Sequence, residues 1–458
     1  MMVINTIASH AFAVWWKDFE RWDVKFFSAL VRSTYPVVRL APLIHEHSER
    51  VKPFDYPETT FRILGVTNTG GIFHAYDSLG KKIKQPYQKV DAGDFAYNPY
   101  RINVGSIGVV PTELGGNYIS PAYVVFATDK AKLLSEYLIL ILKADWFNPM
   151  VRAATAGSVR QNLTFALLGT LEIPLPPLSE QKAIVARWRK AQDEIAAVRE
   201  RVEKRKVTID ARFFADLGLL SPDQLSTPKA FAVVWGDFLR WGVRFNQLSQ
   251  AGADITQGIF PGVELDRLLK VVQYGTSEKA NSSGNGVPIL RISNIKERAI
   301  DFSELKRILL PKKTIEGLML QDGDVLIIRT SGSRDLVGTC AVFRGQDNFV
   351  FASYLIRLRF DTEMVLPEFV SWFLNSPLGR QQVDAVSRQI MQNNINSEEL
   401  RGLQIPLPPL SVQKQMMEWV AAGREEIARE REAADHLARE INAEIEALIL
   451  GTKKVSEL

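Results

Sequence analysis

The sequence predicts an α+β protein: two pseudo-repeated, mixed α/β globules, each followed by one long helix. Three observations carry this. IPLPPLSEQ at 173–181 returns as IPLPPLSVQ at 405–413. Behind each copy, apolar residues recur at alternating spacings of four and three. Ahead of each copy lie short apolar runs bounded by Gly, Asn and Asp, the signature of strands and turns.

The duplication reaches well beyond the proline motif. AFAVWWKDFERWDVKF at 11–26 matches AFAVVWGDFLRWGVRF at 230–245, an offset of 219. LGVTN at 64–68 faces LRISN at 290–294 (offset 226), and Gly93-Asp94 faces Gly323-Asp324 (offset 230). Tyr123 faces Tyr354 at 231 and the proline motifs stand at 232. The offset only grows, as a second copy with a few small insertions requires.

Within the globules, VGSIGVVP at 104–111, AYVVFAT at 122–128, DVLIIRT at 324–330 and YLIRLRF at 354–360 read as strands. LLSEYLILILKADWF at 133–147 and PEFVSWFLNSPLGRQQV at 367–383 read as helices packed on the sheets. STPKAF at 226–231 is a linker rich in turn residues.

The long helices have start and stop signals. Pro176 and Pro177 force an extended approach, and Ser179 stands where an N-cap is expected, with Glu180 in the first turn. Pro408, Pro409 and Ser411 repeat this, and Gly218 and Gly451 are the expected stops. A helix of this length spans about 58 Å. Ile184, Trp188, Ala191, Ile195, Val198, Val202, Arg205 and Ile209 form a seam in the first. Met416, Val420, Gly423, Ile427, Glu430, Ala434, Leu437 and Ile441 form the matching seam in the second. Residues 179–217 hold ten Lys/Arg against seven Asp/Glu, and 411–450 hold five against nine. One helix is basic and the other acidic, which suits a pair. The alternative is two helices each buried in its own globule. Trp188 and Trp419 belong to the helix pair or to a partner interface.

Composition narrows the function. The chain has 458 residues, enough for two or three cored domains, and a net charge of +4 that suits a polyanion without requiring one. Cys340 is the single cysteine, so no intrachain disulfide forms and a reducing cytoplasm is expected. No apolar run approaches about 18 residues, and no signal peptide is expected at the start. No P-loop, HExxH or GxSxG is present. His45 and His47 lack a matching ligand set and read as loop residues. AYNPY at 96–100 has one proline where the adenine-methyltransferase motif has two, and reads as a turn.

The candidate ligand-facing segments are polar, Gly-flanked loops. In the first copy they hold Asn68, Thr69, Asn98, Tyr100, Arg101, Asn103, Arg160 and Gln161. In the second they hold Tyr274, Thr276, Ser277, Arg291, Asn294, Arg329, Ser331, Ser333, Arg334, Gln392 and Asn393. Arg reads guanine bidentately and Asn or Gln reads adenine, while Ser, Thr and Lys suit phosphates. Asn162 and Asn394 match at offset 232 and are equally suited to a turn in the shared scaffold or to DNA contact. Trp15, Trp16 and Trp22, with Trp235 and Trp241, read as packing residues.

The chain resembles the specificity subunits of Type I restriction-modification systems. The resemblance rests on IPLPPLSEQ and IPLPPLSVQ before long helices, on YGTSEKANSSGNGVPILRISNI at 274–295, and on QNNINSEELRGLQIPLPP at 392–409. GDFAYNPYRINVGSIGVV and ISPAYVVF in the first half also fit, whereas YPETTFRILGVTNTGG replaces the YGTS-type segment there. The resemblance implies target recognition domains at 1–177 and 219–409, and conserved spacer helices, packed antiparallel, at 178–218 and 410–458. Each domain would read one half of a bipartite, asymmetric site on double-stranded DNA, with Lys279 added to the contacts. The helices would set the spacing and dock two methyltransferase subunits. The chain would do no chemistry and bind no cofactor or metal. S-adenosylmethionine, ATP and Mg would belong to the methyltransferase and the restriction/translocase subunits. Two alternatives stay open: a related enzyme with methylation and cleavage fused in one partner, and a two-domain adaptor that binds protein or carbohydrate.

Overall fold

The computed structural model describes residues 33–457, apart from 48, 69, 103–104, 155–161, 220–254, 256–257, 282–283, 346–347 and 390–392. The matched segments 11–26 and 230–245, with their tryptophans, and the linker at 226–231 lie outside the described residues. By contact the chain divides into two units, Met1–Arg199 with Glu432–Leu458, and Glu200–Arg431.

In the first unit, β1 (Val37–Arg39) pairs with β11 (Glu172–Pro174). A four-stranded antiparallel sheet runs in the order β2 (Ile44–Glu46), β10 (Val124–Thr128), β7 (Phe95–Tyr97), β8 (Ile107–Val109). A second sheet orders β3 (Arg50–Val51), β6 (Tyr87–Val90), β9 (Asn117–Ile119), β4 (Thr60–Thr67) and β5 (Gly71–Leu79). Its central β4 and β9 run parallel. Helices α1 (Ser135–Lys143), α2 (Phe147–Ala154) and α3 (Phe165–Thr170) follow, then α4 (Leu178–Asp216).

The second unit repeats this plan. β12 (Gly262–Glu264) pairs with β25 (Gln404–Pro406). The antiparallel sheet is β13 (Leu269–Tyr274), β22 (Leu355–Phe360), β18 (Val325–Ile328), β20 (Cys340–Val342), the same order as before. β14 (Val287–Leu290) lies parallel to β21 (Val350–Phe351) and antiparallel to β17 (Lys306–Ile308). Two hairpins are added: β15 (Ile295–Lys296) with β16 (Ala299–Ile300), and β23 (Arg388–Gln389) with β24 (Asn393–Asn394), the latter also pairing β19 (Thr330–Ser331). α5 (Lys312–Leu318), α6 (Pro367–Asn375), α7 (Pro377–Val386), α8 (Ser397–Arg401) and α9 (Leu410–Leu450) complete it. Pro377 divides the helix expected at 367–383, because proline is accommodated in a first turn but not inside a helix.

Each unit contains half of the helix pair. In the first, Ile184, Val185, Ala191 and Ile195 of α4 join Ile441, Ile445, Leu448 and Ile449 of α9 in one core with Tyr137, Leu138 and Ile141 of α1. Burying each such aliphatic side chain contributes about 2 kcal/mol. Arg187 and Glu444 pair beside this core at 2.6 Å. In the second unit the numbering rises on α4 as it falls on α9. Arg205 pairs with Glu430 at 3.5 Å and with Glu426, Ile209 faces Gly423, and the Arg212 guanidinium lies 4.4 Å from the Trp419 ring. The helices are therefore antiparallel. The two polar seam positions, Arg205 and Glu430, answer each other. A Cβ at residue 423 would stand 2.6 Å from the Ile209 Cδ1, so glycine lets that isoleucine fill the seam. Trp188 packs against the first unit's core, and Trp419 lies within the helix pair.

The helix starts correct one expectation. The Gln181 N–H donates to the Pro177 carbonyl at 3.0 Å, so α4 begins at Leu178, and Ser179 sits inside the first turn rather than at the cap. Ser411 is displaced in the same way, with Gln413 donating to Pro409. The residues that anchor these ends are Gln181 and Gln413, both 0 % exposed. The Gln181 side chain accepts from the Leu134 N–H at 3.0 Å and donates to the Lys132 and Pro176 carbonyls at 2.9 Å. Gln413 accepts from Leu366 at 2.8 Å and donates to Met364 and Pro408 at 3.2 and 2.8 Å. One amide thus ties each long helix to the loop before α1 or α6. Gln413→Leu leaves a buried N–H and two carbonyls unpaired and is expected to cost about 2 kcal/mol, read from the urea midpoint. No measurable loss would show that the lock contributes nothing. The expected stops hold: Gly218 and Gly451 have φ of 68° and 71°, and Leu219 N–H reaches back to the Phe214 carbonyl.

Candidate nucleic-acid interface

In the first unit, β7 delivers the chain into a turn at Asn98. Its Oδ1 accepts the Tyr100 N–H at 3.0 Å, and its carbonyl accepts the Arg101 N–H at 3.0 Å. Closing this turn throws Tyr100 outward, 58 % exposed, with Arg101 exposed beside it. Behind them the buried Tyr97 hydroxyl donates to the Leu163 carbonyl at 3.0 Å, and Leu163 N–H donates to the Pro99 carbonyl at 3.0 Å. Those two bonds bring Asn162 to the loop. Asn68 is exposed, and its carbonyl lies 3.6 Å from a Cβ built on Gly105 in the same loop region. The structure therefore gathers Asn68, Asn98, Tyr100 and Arg101. Thr69, Asn103, Arg160 and Gln161 lie outside the described residues.

The second unit builds its cluster on the matching strand ends. Arg329 follows β18, and its carbonyl accepts the Ile395 N–H at 2.9 Å, the counterpart of the Pro99–Leu163 bond. The Arg329 guanidinium lies 4.8 Å from the Tyr274 ring, and the Tyr274 hydroxyl accepts the Ser397 N–H at 3.0 Å. Gly275 is required here, since a Cβ would stand 2.3 Å from the Phe351 carbonyl oxygen. Thr276 Oγ1 accepts the Glu278 N–H at 3.2 Å, leaving Ser277 and Lys279 exposed. Ser331 Oγ accepts the Ser333 N–H at 3.1 Å, and Arg334 lies 3.7 Å from Asp384. Tyr354, 54 % exposed, joins this group through its carbonyl, which accepts the Arg329 N–H at 2.9 Å. It was legible only as the partner of Tyr123 in the repeat. Gln392 lies outside the described residues, and Asn393 is placed by its backbone in β24.

Asn294 is corrected. It is 1 % exposed, its Nδ2 donates to the Asp301 and Glu304 carbonyls at 3.0 and 3.3 Å, and its Oδ1 accepts the Arg291 N–H at 3.1 Å. A side chain spent on an interior turn does not reach a base edge. Arg291 is drawn to the same turn, donating to the Glu304 carbonyl at 3.2 Å. Asn162 and Asn394 share a feature across the repeat: each has a buried Oδ1 without a hydrogen bond.

Where the sequence shows no ligand set for His47, the fold brings His47, Asp91 and Asp94 together with one ligand atom each within 4.8 Å of one another. His47 Nδ1 lies 2.8 Å from Asp94 Oδ2, which also accepts the Asp91 N–H at 2.8 Å to close the turn before β7. Cys340 is buried, and burial pushes its thiol up to about 11, far from a nucleophile's range. No helix among the described residues is long and apolar enough to cross a membrane.

Two like globules, each carrying a polar and aromatic loop cluster at corresponding strand ends and sharing an antiparallel helix pair, define a class of duplicated recognition protein. The chain matches the Type I restriction modification DNA specificity domain over residues 84–202 and 263–432, more than half its length, and belongs to that family. It is 25 % identical over 288 residues to the Type I restriction enzyme EcoKI specificity subunit of Escherichia coli (strain K12), which covers 62 % of this chain and 57 % of that one. It is 25 % identical over 283 residues to the StySPI specificity subunit of Salmonella potsdam, covering 61 % and 56 %. The chain thus spans less than two thirds of the length of these relatives. A chain solved in work on complex assembly and conformational transition of the type I R-M system has a TM-score of 0.55 at 20 % identity, over 92 % of this chain and 98 % of that one, and shares its fold.

Proposed function

We propose that this chain is the non-catalytic subunit that gives a Type I restriction-modification complex its DNA sequence specificity. Each unit reads one half of a bipartite site on double-stranded DNA. The antiparallel helices set the separation of the halves and dock two methyltransferase subunits. S-adenosylmethionine, ATP and Mg belong to the methyltransferase and restriction/translocase subunits, and the complex works in the cytoplasm. The carrying observation is the duplicated cluster: the Pro99–Leu163 and Arg329–Ile395 bonds fix equivalent loops at equivalent strand ends, while the side chains on those loops differ. A shared scaffold with unlike loops is what reading two unlike half-sites requires.

Tyr100, Arg101, Tyr274, Thr276, Ser277, Lys279, Arg329, Ser331 and Ser333 are the contacts this reading favours, with Asn68, Asn98 and Arg334 at their edges. The test is DNA binding by the assembled complex as salt is varied. Affinity is expected to fall linearly on a log–log scale, by about 0.9 per phosphate contacted, and Lys279→Ala to lower that slope by about one contact. Binding indifferent to salt would favour an adaptor instead, and methyl transfer by the purified chain alone would contradict a non-catalytic role.

A further inference from the structure

The β15–β16 hairpin of the second unit turns through Glu297 and Arg298, both in the left-handed region with φ of 47° and 64°. Two-residue turns of this kind favour Asn and Gly, and long side chains there are strained. Side-chain contacts hold the turn in place: Glu297 pairs with Arg431 of α9, and Arg298 lies 3.8 Å from Asp210 of α4. Strain of this kind persists where the surroundings over-determine it, often at ligand clamps. Here it places the Arg298 guanidinium 5.3 Å from the Trp372 ring, at the edge of a cleft of about 330 Å³.

One wall of that cleft is a single face of α9, with Met417, Val420, Ala421 and Arg424 at helical spacing. The Arg424 guanidinium lies 6.0 Å from the same indole ring and makes no ion pair or hydrogen bond with any described residue. A third arginine, Arg344, is held by Asp322 and by Glu368, the single carboxylate of the lining. The lining therefore combines apolar walls with three guanidinium groups against one carboxylate. Asp210 and Asp322 hold Arg298 and Arg344 from outside it, and Arg424 is left as the one of the three without an ion pair among the described residues. A free phosphate backbone calls for polar surroundings along its length. A carboxylate carried among apolar side chains fits both features, and guanidinium pairs with carboxylate directionally.

We propose that this cleft receives an acidic side chain of a docked protein partner, which under the reading above is a methyltransferase subunit. Arg424 and Arg298 clasp the carboxylate, and Trp372 and the α9 face take the apolar residues beside it.

The experiment uses the full chain assembled with its methyltransferase subunits. Arg424→Lys preserves the charge and supplies an amine that a carbodiimide couples to a carboxylate in direct contact. A cross-link from position 424 to an Asp or Glu of the methyltransferase subunit is expected, and none to that subunit from Arg429→Lys, whose native side chain is 70 % exposed beside Glu425. Arg424→Glu is expected to weaken assembly about tenfold with a melting temperature little changed, because the native side chain makes no ion pair or hydrogen bond with a described residue and only a 6.0 Å approach to the Trp372 ring. Cross-links confined to this chain, or assembly unaffected by Arg424→Glu, would overturn the proposal. So would unchanged assembly with weaker, less salt-dependent DNA binding, which would assign the cleft to phosphate. Failure of the unaltered chain to assemble with methyltransferase subunits would instead refute the functional reading itself.

Discussion

Replacing Asp324 with alanine is expected to destabilise the second unit by about 3–5 kcal/mol, the cost of breaking a buried ion pair from one side. Asp324 is fully buried. Its two oxygens take the Arg359 Nε and Nη2 at 2.7 and 2.8 Å, its Oδ2 also closes a turn with the Gln321 N–H at 2.8 Å, and Arg357 Nη1 stands 3.8 Å away. Both arginines lie on β22, one on each side of Leu358, which faces Val325 of β18. Removing the carboxylate leaves Arg357, 5 % exposed, with its positive charge uncompensated. Calorimetry should show a melting point lower by on the order of 10 °C. The counterpart Asp94 offers an internal control, since its partner is the half-buried ring of His47 and no arginine among the described residues pairs with it. Asp94→Ala is expected to cost about 1–2 kcal/mol. Equal losses at the two positions would show that the arginine pair adds no dependence on its carboxylate. Replacing Asp324, Arg357 and Arg359 together by apolar residues of similar size should recover most of the loss, because no charge then remains stranded.

The same pair of aspartates shows how far the sequence could be read. Gly93-Asp94 and Gly323-Asp324 are visible as a repeat, and each closes the same turn. Their charge partners are not visible, because the partner moved from one strand to another: His47 follows β2, whereas Arg357 and Arg359 are on β22. The duplication, the seam and the helix stops were legible because they depend on repeated residues, periodicity and local backbone chemistry, and the family was legible through the resemblance of the motifs at 173–181, 274–295 and 392–413. Gln181 and Gln413 stood in the repeated motif, yet an amide that bonds a distant loop has no local signature. Asn294 misled for a related reason: Asn serves turns as readily as bases, and only the carbonyls of Asp301 and Glu304 reveal which. Tyr354 carries no turn or helix signal of its own, and its exposure depends on how β18 and β22 end side by side.

Exchanging residues 1–170 for the corresponding region of a family member is expected to change one half of the methylated site and leave the other unchanged. The first unit's loop cluster, at Asn68 and Asn98–Arg101, lies wholly within that span. The second cluster, at Tyr274–Lys279 and Arg329–Arg334, is held by strands and helices of residues 200–431. One feature makes the exchange physically tolerable. Within the exchanged span the Gln181 side chain grips only the backbone of residues 132 and 134, so its lock accepts any incoming side chains. Other contacts cross the junction: β1 pairs with β11 through backbone, Tyr35 bonds Glu180, Arg189 pairs with Glu136 at 2.8 Å, and Tyr137, Leu138 and Ile141 pack against Ile184, Val185, Ile441 and Ile445, where a mismatch of a methylene or two costs about 1–3 kcal/mol. The donor should therefore be one that keeps Tyr35 and Glu136 and residues of similar size at 137, 138 and 141, and its fold checked by melting before its specificity is read. Long-read methylome sequencing of cells carrying the hybrid then decides. A site altered in both halves would mean that the two units do not read independently, and a site altered in neither would place recognition outside the exchanged loops.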